Sequence, residues 1–170
     1  MIYLDYQATT PLAPEAKAAM LPWLDGFGNP HSPHRPGREA RAAVEIARMQ
    51  VAAPFGPGGR LLFTSGATEA ANWAIKGVLG DAPPERRKLV TIATEHACVL
   101  DSAAWLGWQG VELVVLPVGF DGLVDLHAAR VAIDDRTALV AAMLVNNEIG
   151  VVQPIAELGE MARRHGALMF

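Results

Sequence analysis

Three short polar clusters interrupt an otherwise apolar chain of 170 residues, and each holds residue types able to do chemistry. "SGATE" at 65–69 leaves the apolar run "RLLFT" (60–64) and enters a helical pattern. Unpaired amides at a helix start, the hydroxyls of Ser65 and Thr68, and the missing side chain of Gly66 suit a phosphate group. The same residues also suit a plain helix cap, with Ser65 or Thr68 capping and Glu69 in the first turn. "TEH" at 94–96 sets His96 just beyond a second apolar run. A neutral imidazole there stacks on an aromatic ring or moves a proton near neutral pH; a satisfied loop histidine is the plain alternative. "NNE" at 146–148 offers two carboxamides and a carboxylate, which either donate to an oxyanion or phenolate or simply form a turn.

Other chemistries find no support. No Gly-Lys-Ser/Thr closes a phosphate loop, no Gly-rich dinucleotide fingerprint occurs, and no Gly-x-Ser-x-Gly elbow is present. His31, His34, His127 and His165 show no ligand spacing with one another, and a single cysteine supplies no thiolate cluster, so no metal site is expected.

Positioning three clusters requires a scaffold, and the hydrophobic pattern describes one. Helical spacing starts at Pro14 in "PEAKAAMLPWL" and recurs in "REARAAVEIARMQVAAPF", where Ala40, Val44, Ala47 and Val51 share a face. Four apolar runs read as strands: 60–64, 88–93, 111–116 and 138–145. Helices are expected between them, through Ile75 to about Leu79, over 98–108 and over 125–133, with an amphipathic one in "IAELGEMARRHG". Strands alternating with helices predict an α/β fold, a mostly parallel sheet flanked by helices. The run at 138–145 is apolar on both faces, as a central parallel strand requires. Ligands of such sheets bind at the strands' C-terminal edge. Three of the four predicted strands exit into a polar cluster, whereas 111–116 exits into "PVGFDG", a plain turn. One shared pocket with a phosphate cradle, a stacking ring and a phenolate donor describes a phosphorylated aromatic cofactor, and pyridoxal 5'-phosphate fits it. A nucleotide would match the phosphate part alone.

Composition is that of a folded domain, 51% hydrophobic and 19% charged. A net charge of -4 argues against direct nucleic-acid binding. Cys98, the one cysteine, excludes an internal disulfide framework and suits a reducing cytoplasm. The longest apolar run is too short to span a bilayer, and "MIYLDYQATTPLAP" lacks the pattern of a signal peptide, so no membrane association is expected. The final "HGALMF" reads as a helix end running into a new strand, which suggests a truncated chain.

Five segments, "YLDYQATTPL" (3–12), "FGNPHSPHRPG" (27–37), "FTSGATEAAN" (63–72), "TEHACVLD" (94–101) and "VNNEIGVVQPI" (145–155), occur in an order and spacing that resemble one family. They look like the N-terminal portion of a cysteine desulfurase of the NifS/IscS-like group, in the class V aminotransferase superfamily. The resemblance covers essentially the whole chain but less than half of a typical member. It implies a homodimeric pyridoxal-phosphate enzyme of fold type I, with residues 1–13 joining a small domain and 14–170 forming the first part of the cofactor-binding large domain. The implied reaction converts L-cysteine to L-alanine and passes sulfur to an enzyme cysteine as a persulfide, for an iron–sulfur scaffold or another sulfur-acceptor protein. By resemblance Ala67 and Thr68 hold the cofactor phosphate, His96 stacks on the ring and transfers protons, and Asn147 lies near the phenolic oxygen and the substrate carboxylate. The "ATT" and "GNP" segments resemble parts near the substrate channel. The family's Schiff-base lysine, persulfide cysteine, pyridinium-pairing aspartate and carboxylate-binding arginine have no counterpart in residues 1–170, so this stretch alone is expected to be inactive. Cys98 reads as a packed residue. A selenocysteine lyase, an aminotransferase of the same class, or a non-catalytic piece acting by association are the alternatives.

Overall fold

The computed structural model describes residues 2–170, and the chain divides into two compact units, the first ending at Phe63 and the second spanning Thr64–Phe170. In the first unit Pro14 opens helix α1 (Pro14–Leu24), where a missing amide costs nothing. Helix α2 (Arg35–Ala52) is capped by His34, whose Nδ1 accepts from the Gly37 amide at 3.3 Å, and it runs into a 3-10 turn at Ala53–Phe55. The loop before α2 folds back onto its first turn. A Cβ on Gly37 would stand 2.4 Å from the Ser32 carbonyl oxygen, and one on Gly28 2.4 Å from that of Pro36. Gly37 is the buried residue of this unit among those described.

The expected strand at 60–64 is absent: this segment joins no sheet. An apolar run becomes a strand only where a neighbour's ladder takes up its amides and carbonyls. Here the Leu61 carbonyl accepts instead from Arg48 Nη1 at 2.7 Å, and the Arg48 guanidinium lies over the Phe63 ring at 5.0 Å.

The second unit holds four parallel strands, β1 (Lys88–Ile92), β2 (Glu112–Leu116), β3 (Thr137–Ala141) and β4 (Leu168–Met169), in the order β2-β1-β3-β4. Its helices are α3 (Ala67–Asp81), α4 (Ala97–Trp108), α5 (Leu126–Ala132) and α6 (Ile155–Arg164). Successive strand residues face opposite ways, and two cores result. Leu89 and Leu139 meet Ile75 and Leu79 of α3 and Val99 and Leu106 of α4. Val90, Ile92 and Val140 meet Ala129 of α5, Leu158 of α6 and Ile133. Helices therefore cover both faces, and every residue of β1 and β3 is buried. Each fully buried Leu or Ile contributes about 1.5–3 kcal/mol of transfer free energy. Strand β3 ends at Ala141, four residues short of the predicted run, because the chain turns away and Val145 bridges Val152 instead.

The N-terminal edge of the sheet carries charge. Lys88 is buried at the start of β1, its Nζ 3.0 Å from Asp134 Oδ2 and 3.7 Å from Glu112 Oε1. Arg136 closes the network at 2.6 Å from Glu112 and 3.3 Å from Asp134. Burial acts to raise the Asp134 carboxyl pKa, but the Lys88 hydrogen bond, the Arg136 amide and the two cations outweigh it and hold the group below its ordinary value. Among the described residues no helix is long and apolar enough to cross a membrane.

Candidate functional site

Strand order places the site. β1 has β2 on one side, while β3 and β4 lie on the other, so the order reverses between β1 and β3. Parallel strands open a crevice at such a point, beyond their C-terminal ends. There the last ladder pair is Thr91 with Ala141, and the Thr91 hydroxyl donates to the Ala141 carbonyl at 2.9 Å. Beyond it the amides turn outward, that of Ala93 to Leu116 of β2 and that of Ala142 to Phe170. A cavity of about 320 Å³ lies between the two exits, lined by residues 93–97 and 146–149. That volume suits a small ligand.

His96 is both a wall of this cavity and the N-cap of α4. Its Nδ1 accepts from the Cys98 amide at 3.1 Å, so Nδ1 carries no proton and the neutral ring is protonated on Nε2. One ring nitrogen thus holds the helix, and the other is left for a ligand. Cys98 itself is half-buried against the α3–α4 core, as the sequence suggested.

The two asparagines part company. Asn146 is buried; its Nδ2 donates to the Thr94 carbonyl at 2.6 Å, and its Oδ1 accepts from the Glu148 and Ile149 amides at 2.8 and 2.9 Å. The adjacent Asn147 is exposed and lines the cavity. Two further groups that the sequence left without a role line the same cavity beside His96. Glu95 is buried, and its Oε1 accepts from the Met143 amide at 2.5 Å. Burial pushes its carboxyl above the usual carboxylate range, an effect that the Met143 and His96 amides and the His96 ring partly offset. Thr94 Oγ1 is buried with no hydrogen-bond partner among the described residues. No periodicity marks these residues, because their pairing follows from β1 and β3 being neighbours.

The remaining predicted residues, Ala67 and Thr68, open α3 and are not part of the cavity lining. Neither Ser65 nor Thr68 caps that helix; the N-cap position is Gly66, in an extended conformation with open space where a Cβ would stand. The Ser65 amide and hydroxyl both donate to Glu69 Oε2 at 2.6 Å, and the hydroxyl, then the amide, hold that carboxyl below its ordinary value. The first helical bond runs from the Ala70 amide to the Gly66 carbonyl, and the amides of Gly66, Ala67, Thr68 and Glu69 meet no acceptor in the described chain. The segment is thus an uncapped helix start with a free hydroxyl on Thr68. Among the described residues, no group of three or more His, Cys, Asp or Glu side chains is arranged to hold a metal ion.

Comparison with known proteins agrees on the lineage of this arrangement. The model of the aminotransferase class-V family matches residues 2–170. A protein named cysteine desulfurase IscS from Rickettsia africae is 47% identical over 168 residues, covering 97% of this chain. The chain spans 41% of that relative's length. Among solved structures, a NifS-like protein superposes with a TM-score of 0.93 at 32% identity, over 99% of this chain and 47% of the other. A structure described as SspA in complex with cysteine gives 0.87 at 34% identity, over 99% and 49%. An α/β unit with a parallel four-stranded sheet, its polar residues gathered at the β1–β3 crevice and its sequence matched from end to end, belongs to the aminotransferase class-V family.

Proposed function

We propose that the protein is a pyridoxal-phosphate-dependent cysteine desulfurase, converting L-cysteine to L-alanine and passing the sulfur to a cysteine as a persulfide. The observation that carries this reading is the placement of His96 and Asn147 on one cavity at the sheet's switch point, in a chain 47% identical to a relative named for that activity.

The residues present fit the cofactor's chemistry. A phosphate needs several donors, and Gly66 with the first turn of α3 offers four amides unclaimed among the described residues, beside the Thr68 hydroxyl. A pyridine ring and its phenolic oxygen need a flat stacking partner and a hydrogen-bond donor, which the imidazole of His96 and the exposed carboxamide of Asn147 provide. The buried Thr94 hydroxyl is a further donor without an acceptor among the described residues. Bound there, pyridoxal phosphate supplies an electron sink for charge developing on the amino acid.

The chain's own part is to bind, orient and move a proton. Ala67 and Thr68 hold the phosphate through the Ala67 amide and the Thr68 hydroxyl. Asn147 Nδ2 donates to the phenolic oxygen and orients the substrate carboxylate. His96 gives and takes its proton at Nε2, since Nδ1 is engaged by the Cys98 amide. The family resemblance adds a homodimer in the cytoplasm, delivering sulfur to an iron–sulfur scaffold or another acceptor protein.

The test is turnover of L-cysteine by the protein expressed over its full coding length, followed as alanine and as sulfide released by a thiol. His96→Ala removes the α4 cap as well as the catalyst, worth about 1 kcal/mol of stability. His96→Asn keeps an acceptor at the cap and is the cleaner variant. It should keep the fold and lose about 10²- to 10⁴-fold in kcat, the usual worth of a positioned acid–base group. Unchanged turnover in His96→Asn would remove the histidine from the mechanism. Turnover of selenocysteine or of an amino donor, with L-cysteine inert, would move the protein to another activity of its class.

A further inference from the structure

Beyond the ladder the exits of β1 and β3 part, since the Ala93 and Ala142 amides are taken by the outer neighbours Leu116 and Phe170. The two segments nonetheless carry His96 and Asn147 on opposite walls of one cavity. Two side chains bridge the gap, one from each side. Glu95, on the β1 exit, accepts from the backbone amide of Met143 on the β3 exit. Asn146, on the β3 exit, donates to the backbone carbonyl of Thr94 on the β1 exit. Each bridging residue immediately precedes the one with a proposed chemical role: Glu95 precedes His96, and Asn146 precedes Asn147. Both are more than nine-tenths buried, at 8% and 5% exposure, so water competes weakly for these bonds.

We propose that Glu95 and Asn146 form a reciprocal clasp across the crevice and are the positioning residues that set the spacing of His96 and Asn147. The inference rests on the functional reading above for what that spacing serves. An acceptor oxygen at position 95 and a carboxamide at position 146 are the types the geometry requires. The bond to Met143 needs an acceptor, whereas Asn146 must donate across the gap through Nδ2 and accept from the Glu148 and Ile149 amides through Oδ1. Asn146 thereby ties the loop bearing Asn147 to the wall bearing His96. Neither residue needs to touch a ligand for the clasp to act.

Reciprocity is testable by reading each substitution on the far side. In the cofactor-free protein, expressed over its full coding length, amide hydrogen exchange at Glu148 and Ile149 reports the loop of Asn147, and exchange at Cys98 reports the seating of His96. Glu95→Ala should speed exchange at Glu148 and Ile149, and Asn146→Asp should speed it at Cys98, each by up to about tenfold, the worth of one hydrogen bond. Asn146→Asp keeps the local Oδ1 acceptor but replaces the donor to Thr94 with an acceptor oxygen, so it breaks the bridge and adds repulsion from the Thr94 carbonyl. Glu95→Gln retains an acceptor oxygen and should restore most of the protection lost in Glu95→Ala. Effects confined to the mutated side, or a Glu95→Gln protein as loosened as Glu95→Ala, would overturn the clasp. Should the wild-type protein fail to take up pyridoxal phosphate, the functional reading falls, while the exchange pattern still decides whether the two walls are coupled.

Discussion

Thr68→Val separates a ligand contact from a structural one. Among the described residues the Thr68 hydroxyl meets no hydrogen-bond partner, whereas its backbone carbonyl accepts from Asn72 Nδ2 at 2.9 Å. Valine keeps the shape and the β-branch, and the site is exposed, so stability should change by no more than about 0.5 kcal/mol. Whatever is lost in cofactor binding then belongs to the ligand. A hydrogen bond to a charged phosphate contributes about 1.5–3 kcal/mol. The dissociation constant of pyridoxal phosphate should therefore rise about 10- to 150-fold. The assay is absorbance titration of cofactor-depleted protein, expressed over its full coding length, beside a urea denaturation curve for the same variant. Any covalent contribution from elsewhere cancels in the ratio of the two constants. Wild-type affinity in Thr68→Val would refute the phosphate role. A fall in the denaturation midpoint matching the loss of affinity would show instead that the hydroxyl serves the fold.

The other perturbations test the scaffold. Asp134 titrates below its ordinary value when folded, so it contributes stability above the unfolded pKa that is lost as pH falls through the folded one. Urea midpoints measured through the acidic range should show a decline that is shallower in Asp134→Asn. At neutral pH Asp134→Asn should cost more than Lys88→Met. The first strands a buried ammonium, a change worth about 3–5 kcal/mol in full and lessened here by Glu112 at 3.7 Å. The second leaves Asp134 its contact with Arg136. Equal costs would mean that Lys88 is not effectively buried. Gly37→Ala should lower the melting temperature, since its Cβ meets the Ser32 and Asn29 carbonyl oxygens at 2.4 and 2.7 Å, an overpacking of about 1–3 kcal/mol. Gly66→Ala places its Cβ in open space on an extended backbone and should melt within about 0.5 kcal/mol of wild type.

The α/β architecture is legible because burial on both faces leaves a mark that needs no partner to be read. "KLVTI" and "TALVA" are apolar apart from Lys88, Thr91 and Thr137, and both become strands with every residue buried. Their helices announce themselves through spacing, while their caps emerge only in the fold: His96 and Asp125 precede α4 and α5 and accept their first amides. "RLLFT" carries the same apolar mark and is no strand. Composition records that a segment prefers cover, whereas strand pairing also needs a neighbour at ladder distance, and sequence is silent on neighbours.

The same asymmetry governs the site. Residue type alone marks His96 and both asparagines of "NNE" as chemically able, and the resemblance distinguishes Asn147 from Asn146. What sequence does not show is why two adjacent asparagines differ. The difference arises from strand order: with β3 beside β1, the carboxamide at 146 falls opposite the Thr94 carbonyl and is consumed there, leaving its neighbour free. Glu95 is hidden for the same reason, since its partner amide lies 48 positions away at Met143. A chain can thus display the groups that meet a ligand while concealing those that hold them in place. The concealed set emerges once the order of the strands is known.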